Sequence, residues 1–153
     1  MPITPFHFGP GAAMHAMAPR HISFLAFCAA NVLIDVEPGY YMLIGQFPLH
    51  RFFHTVPGAT LVFAATVLIF LSARMIGALP NVLAWKGLTV TQVAIGAALG
   101  VYSHLVLDSI MHVDIRPLAP FSDANDLLHV IPIGMLHLAW ISTHPHLGNA
   151  VRH

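Results

Sequence analysis

The chain has 153 residues, 57% of them hydrophobic and 8% charged, with a mean hydropathy of +0.75. Soluble domains carry about 25% charged residues, so this composition excludes an ordinary water-facing globule and fits one membrane-embedded domain spanning residues 1–153. The formal net charge is zero with no basic run, which excludes a nucleic-acid partner, and the lone Cys28 excludes an intrachain disulfide and argues against a thiolate metal site.

The N-terminal "MPITPFHFGPG" lacks a basic region and is broken by prolines, so it does not read as a signal peptide and the chain is taken as mature from Met1. Gly9 to Ala18 predicts a short half-helix between Pro10 and Pro19, which brings His7 back towards the membrane interior if the segment is re-entrant. Ile22 to Gly45 has the length of a span but is interrupted by "DVEPG", and broken helix at membrane depth is tolerated only along a protein-filled or watery cavity. Ala59 to Leu79, Gly87 to Ile110 and Asp126 to Thr143 are three further apolar stretches near the roughly 20 residues that cross a bilayer as helix. The expected fold is therefore all-α: an integral membrane helical bundle of about four spans with a broken or re-entrant N-terminal helix.

With four spans, Arg20, Lys86 and Arg152 share one side with Arg74 near it, and Arg51 and Arg116 share the other. The positive-inside rule then puts the termini in the cytoplasm. Asp35, Glu37, the His50 loop, Asp108, His112 and Asp114 all approach the opposite side, so sequence-distant polar groups converge at one membrane level.

Twelve histidines in so apolar a chain point to imidazole ligands or proton handling. In "HLVLDSIMH", His104, Asp108 and His112 recur every four residues and line one helical stripe. A His and an Asp so placed can clasp Zn²⁺, Fe²⁺ or Mn²⁺; the plainer reading is a helix-packing hydrogen bond. An ionisable residue in a span is costly, which favours ligands. "HRFFHT" sets His50 and His54 four apart, but Arg51 follows the first where a zinc-protease motif has its glutamate; these histidines fit either a ligand pair or the lipid interface, and Arg51 suits a phosphate or carboxylate. "NVLIDVEPG" adds Asn31, Asp35 and Glu37 for metal binding or acid–base chemistry. His15 and His21 read as interface residues, His129 and His137 as packed neutral core, and His144, His146 and His153 as solvated tail.

In order along the chain, His7 (His15 as the alternative), "IDVEP", "HRFFHT" and "SHLVLDSIMHVDIRPLAP" resemble the YdjM family of membrane-bound metal-dependent hydrolases, over about Pro5 to Pro120. The chain departs from that pattern in reading "IDVEP" for P-D-x-D and in carrying Phe52 where the family often has Gly. The resemblance implies a bacterial inner-membrane enzyme that hydrolyses an ester or phosphoester, on a lipid or lipid-linked substrate. It also implies a divalent ion, zinc first with manganese or iron as alternatives, on His7, Asp35, His50, His54, His104, Asp108 and His112. Glu37 becomes the expected general base, with Asp114 or His112 serving a second ion or supporting the site. Two rivals belong to other classes: a non-catalytic accessory subunit of a larger membrane complex with a structural metal, and a b-type haem protein, which the clustered carboxylates disfavour.

Overall fold

The computed structural model describes residues 5–132, and among these the chain is all-helical. The helices are α1 (Pro5–Met17), α2 (Phe24–Ile34), α3 (Val36–Leu43), α4 (Val56–Met75) and α5 (Val90–Met111), with 3₁₀ turns at Phe52–His54 and Val82–Gly87.

Two of these, α4 and α5, are long and apolar enough to cross a bilayer, with mean hydropathies of 2.1 and 1.6 over their best windows. At about 1.5 Å per residue, the 20 residues of α4 match a hydrocarbon core of about 30 Å. Only 22% of the α4 window is buried, against 56% for α5, so α4 turns most of an apolar surface outwards while α5 forms the centre of the fold. Both start from side-chain caps. Thr55 accepts the amide of Gly58, and Thr89 forms a reciprocal capping box with Gln92.

The Ile22 to Gly45 stretch is two short helices meeting at Asp35, as "DVEPG" predicts. The cause is Pro38: it has no N–H to give the carbonyl of Ile34, so the ladder is interrupted one turn before it. The expected span beginning at Asp126 does not start there. Residues 126–132 are turns and irregular backbone, tied to the end of α5 by Asn125 Nδ2 donating to Ser109 O (2.9 Å) and His129 N to Ile110 O (3.0 Å). Pro132 disfavours helix immediately before it. The remainder of that span, with His137, His144, His146 and His153, lies outside the described residues. His129 is exposed with φ 59°, not packed in the core.

Hydrogen bonds fix the helix directions. Ser23 N donates to Gln92 O (3.1 Å) at one end and His104 Nδ1 meets Asn31 Oδ1 (2.9 Å) at the other, so α2 and α5 run parallel. Thr60 bonds Tyr102 (2.9 Å) and Val56 N bonds Pro117 O (2.8 Å), so α4 is antiparallel to both. The core between them is Ala26, Ala30, Ile34, Ala59, Val62, Val93, Ala97, Val101 and Leu105. Backbones approach closely where α2 crosses α5: a Cβ on Gly96 would overlap the Ser23 carbonyl, and one on Gly100 would lie 2.6 Å from Phe27 O. Small residues four apart allow such contact between helices in lipid. This arrangement gathers the start of α1, the α2–α3 break, the start of α4 and the end of α5 at one end of the molecule.

Candidate metal centre

Asp108 lies at the middle of that end, almost fully buried on the last turn of α5. His104, one turn earlier, places Nε2 3.1 Å from Asp108 Oδ2 and 3.2 Å from Asp35 Oδ1. His54, carried in by the 3₁₀ turn, places Nε2 3.4 Å from Asp108 Oδ2 and 3.8 Å from Asp35 Oδ1. One ligand atom from each of Asp35, His54, His104 and Asp108 thus falls within 4.8 Å of all the others. His50, Asp108 and His112 form a second such group that shares Asp108. There the separations are wider, 3.9 Å from each imidazole Nε2 to the carboxylate.

A hydrogen-bonded network and a ligand set call for different distances. Hydrogen bonds from imidazole to carboxylate are about 2.7–3.2 Å, the shorter end when the ring is charged, and nearly linear. Donors about 2.0–2.2 Å from a shared tetrahedral ion stand about 3.4 Å apart and aim at the ion, not at each other. In the inner group the 3.1 and 3.2 Å contacts of His104 fall within hydrogen-bond range, whereas the 3.4 and 3.8 Å contacts of His54 fit the second pattern. The directions agree: Nε2 of His54 and of His104 are buried and make no hydrogen bond of acceptable geometry despite the neighbouring carboxylates. Orphaned buried nitrogens are rare in folded chains, so several converging on two carboxylates fit a cation.

The opposite ring nitrogens of His104 and His50 are set, while Nδ1 of His54 is buried without a partner. Asn31 donates Nδ2 to Phe27 O (2.9 Å), which turns its Oδ1 to accept the Nδ1 proton of His104 and leaves Nε2 bare towards the cluster. Asp114 does the same for His50, accepting Nδ1–H at 3.0 Å and the amides of Leu49 (3.1 Å) and His50 (3.2 Å). Such partners fix the tautomer and raise the basicity of a metal-binding imidazole. Burial opposes ionisation of Asp114, but the His50 side-chain and backbone bonds outweigh it and hold its carboxyl below the usual range. Burial pushes the His112 imidazole down, ahead of the opposing pull of Asp108, which favours the neutral, ligating form.

Not every predicted residue serves as expected. His112 is not on the α-helical stripe with His104 and Asp108: it caps α5 in extended backbone (φ −115°, ψ 124°) and reaches the cluster from there. Glu37 joins neither group. Its carboxylate accepts the amides of Phe52 (3.2 Å) and Phe53 (2.6 Å) and so anchors the turn that delivers His54. Asp114 orients His50, which is one of the two roles expected of it. His7, not His15, is the N-terminal histidine at the cluster: it is buried, stacked on His104 with ring centroids 4.1 Å apart, and Nε2 is 3.0 Å from Asp108 Oδ1. His15 instead bonds the Ile22 carbonyl (2.7 Å). The hydrogen-bonding role of Asn31 was not legible in its residue type; its four-residue spacing before Asp35 was the only signal.

No protein-family model, curated protein or solved structure matches this chain.

Proposed function

We propose that the protein is a membrane-embedded, metal-dependent hydrolase of the YdjM type, acting on an ester or phosphoester in a bacterial inner membrane. The observation that carries the reading is the set of buried, unbonded Nε2 atoms of His54 and His104 facing the shared carboxylates of Asp35 and Asp108. Asp35, His54, His104 and Asp108 would hold one divalent ion, with zinc the best match to the nitrogen and oxygen donors. His50 and His112, with Asp108 as the shared ligand, offer a second position, and His7 closes the buried side. Such an ion supplies Lewis acidity and activates water near neutral pH. Asp35 is a quarter exposed, so the inner group opens to the outside at its edge. That opening favours catalysis over a purely structural staple, because structural metal sites are closed.

The test is elemental analysis of protein purified in mild detergent at pH 7.5, followed by assay on ester and phosphoester substrates. At least one transition-metal ion per chain is expected. His104→Ala and Asp108→Ala should each lose most of it together with hydrolysis. Metal-free wild type, or full occupancy in both variants, would overturn the reading. Bound metal without turnover, in a chain that co-purifies stoichiometrically with a larger assembly, would favour the accessory-subunit role.

A further inference from the structure

A cavity of about 390 Å³ adjoins the cluster, lined by Pro48, His50, Arg51, Phe52, Thr55, Asp114, Arg116, Ala119 and Pro120. His50 belongs to both, since its Nε2 faces Asp108 while its ring edge forms part of the cavity wall. Two of the six cations in the chain, Arg51 and Arg116, meet at this one cavity, against a single acid, Asp114.

Arg51 is held for a purpose that internal pairing does not explain. Its guanidinium carbon lies over the Tyr41 ring, 3.6 Å from the centroid, and Nε donates to Pro48 O (3.0 Å). Among the described residues no carboxylate forms an ion pair with it, whereas Arg116 is paired with Asp123 at 2.8 Å. The ring contact and the backbone bond occupy one face and Nε, and among the described residues the terminal nitrogens make no hydrogen bond; a guanidinium fork matches an oxyanion in bidentate fashion. The remaining walls are apolar. Phe47 and Phe121, next in sequence to the wall residues Pro48 and Pro120, are 78% and 88% exposed. Exposed aromatics beside the end of an apolar helix belong at the membrane–water interface.

We propose that this cavity is the substrate-recognition site and that Arg51, aided by Arg116, binds the phosphate of a phosphoester whose other half is apolar. The assignment deepens the hydrolase reading and rests on it for the chemistry, but its test reads binding. The phosphate of a lipid headgroup and that of a soluble phosphoester share this recognition, and the probes separate them.

Full-length, metal-loaded protein in detergent is titrated calorimetrically with inorganic phosphate, with dihexanoyl phosphatidic acid, with dihexanoylglycerol and with hexanoate. Phosphatidic acid should bind, dihexanoylglycerol should not, and Arg51→Gln should weaken binding by about tenfold or more while keeping its metal, since a hydrogen bond to a charged group is lost. Phosphatidic acid binding more tightly than inorganic phosphate supports the site and assigns a lipid; equal affinities support the phosphate contact of Arg51 but overturn the apolar half of the assignment in favour of a soluble phosphoester. Unchanged affinity in metal-replete Arg51→Gln overturns the proposal, as does hexanoate binding as well as phosphate. Should Arg51→Gln lose its metal, Arg51→Lys and Arg116→Gln decide: both must bind phosphate more weakly than wild type, and wild-type affinity in both overturns the assignment. Failure of the hydrolase reading shows separately, as absent metal or absent turnover beside an intact Arg51 effect.

Discussion

A neutral imidazole carries one proton on two nitrogens, and a ligand needs the bare nitrogen turned inwards. Asn31 imposes this on His104 from outside the cluster, through a bond to Nδ1. Asn31→Ala should therefore lower metal affinity about 10–100-fold without removing any ligand, as loss of such supporting bonds does elsewhere. Competition against a chelator of known affinity measures it, and Asn31→Asp, which keeps an acceptor at this position, should retain more affinity than Asn31→Ala. Asp114 has a second, pH-dependent consequence. Its folded-state pKa is depressed, so the stability it contributes is present above the ordinary carboxylate value of about 4 and is lost as pH falls through the lower folded value. In chelator-treated protein, melting temperature should drop more steeply below about pH 4 for wild type than for Asp114→Asn. Equal slopes would show that the bond to His50 carries no stability. At this scale the sequence was informative wherever an ionisable group stood in apolar surroundings, because burying it without a partner is costly. It did not show the anchoring role of Glu37, because a carboxylate that accepts backbone amides and one that takes a substrate proton are the same residue type. Only the fold decides which atoms come within 3 Å.

Among the elements, the break at "DVEPG" was readable because Pro38 acts through its own missing N–H, a local cause. The end of α5 was less so: Met111 closes the helix one residue before His112, and the four-residue spacing gave no warning of it. The crossing of α2 on α5 depends on Gly96 and Gly100, a small-residue spacing whose meaning appears only when a second helix lies across it. A Cβ at Gly100 would meet Phe27 O at 2.6 Å and Asn31 Nδ2 at 3.1 Å. Gly100→Ala should therefore destabilise the fold by about 1–3 kcal/mol and weaken metal binding through Asn31, although alanine is the better helix former. Gly39 is the control, with nothing within 4 Å of its would-be Cβ in α3. Gly39→Ala should be neutral or stabilising by about 0.4–1 kcal/mol. Thermal unfolding in detergent compares the two, and similar effects at both positions would mean that the helix crossing is not tight.

Across the whole molecule the cluster joins four parts of the chain at one end of the packed helices: α1 through His7, the α2–α3 break through Asp35, the turn before α4 through His50 and His54, and the end of α5 through His104 and Asp108. Polar groups that must meet in the interior add a specificity that apolar contact alone does not give. Both ring nitrogens of His7 and His54 and Nε2 of His104 are buried without a hydrogen bond of acceptable geometry, and each unsatisfied buried group costs about 1–3 kcal/mol. An ion that satisfies them therefore couples binding to folding. At a free concentration of 1,000 times its dissociation constant, a ligand specific for the folded state stabilises it by about 4 kcal/mol, which for a chain of this size is on the order of 10 °C in melting temperature. Removing metal with a membrane-compatible chelator should lower the melting temperature by that order, and returning Zn²⁺ should restore it. The loss should follow the shared ligand: Asp108→Asn should melt at a temperature that chelator no longer shifts, while His112→Ala, which removes only one ligand of the outer group, should keep most of the response. A chelator-sensitive Asp108→Asn would place the stabilising ion elsewhere, and equal loss of response in both variants would mean that the two groups act as one site.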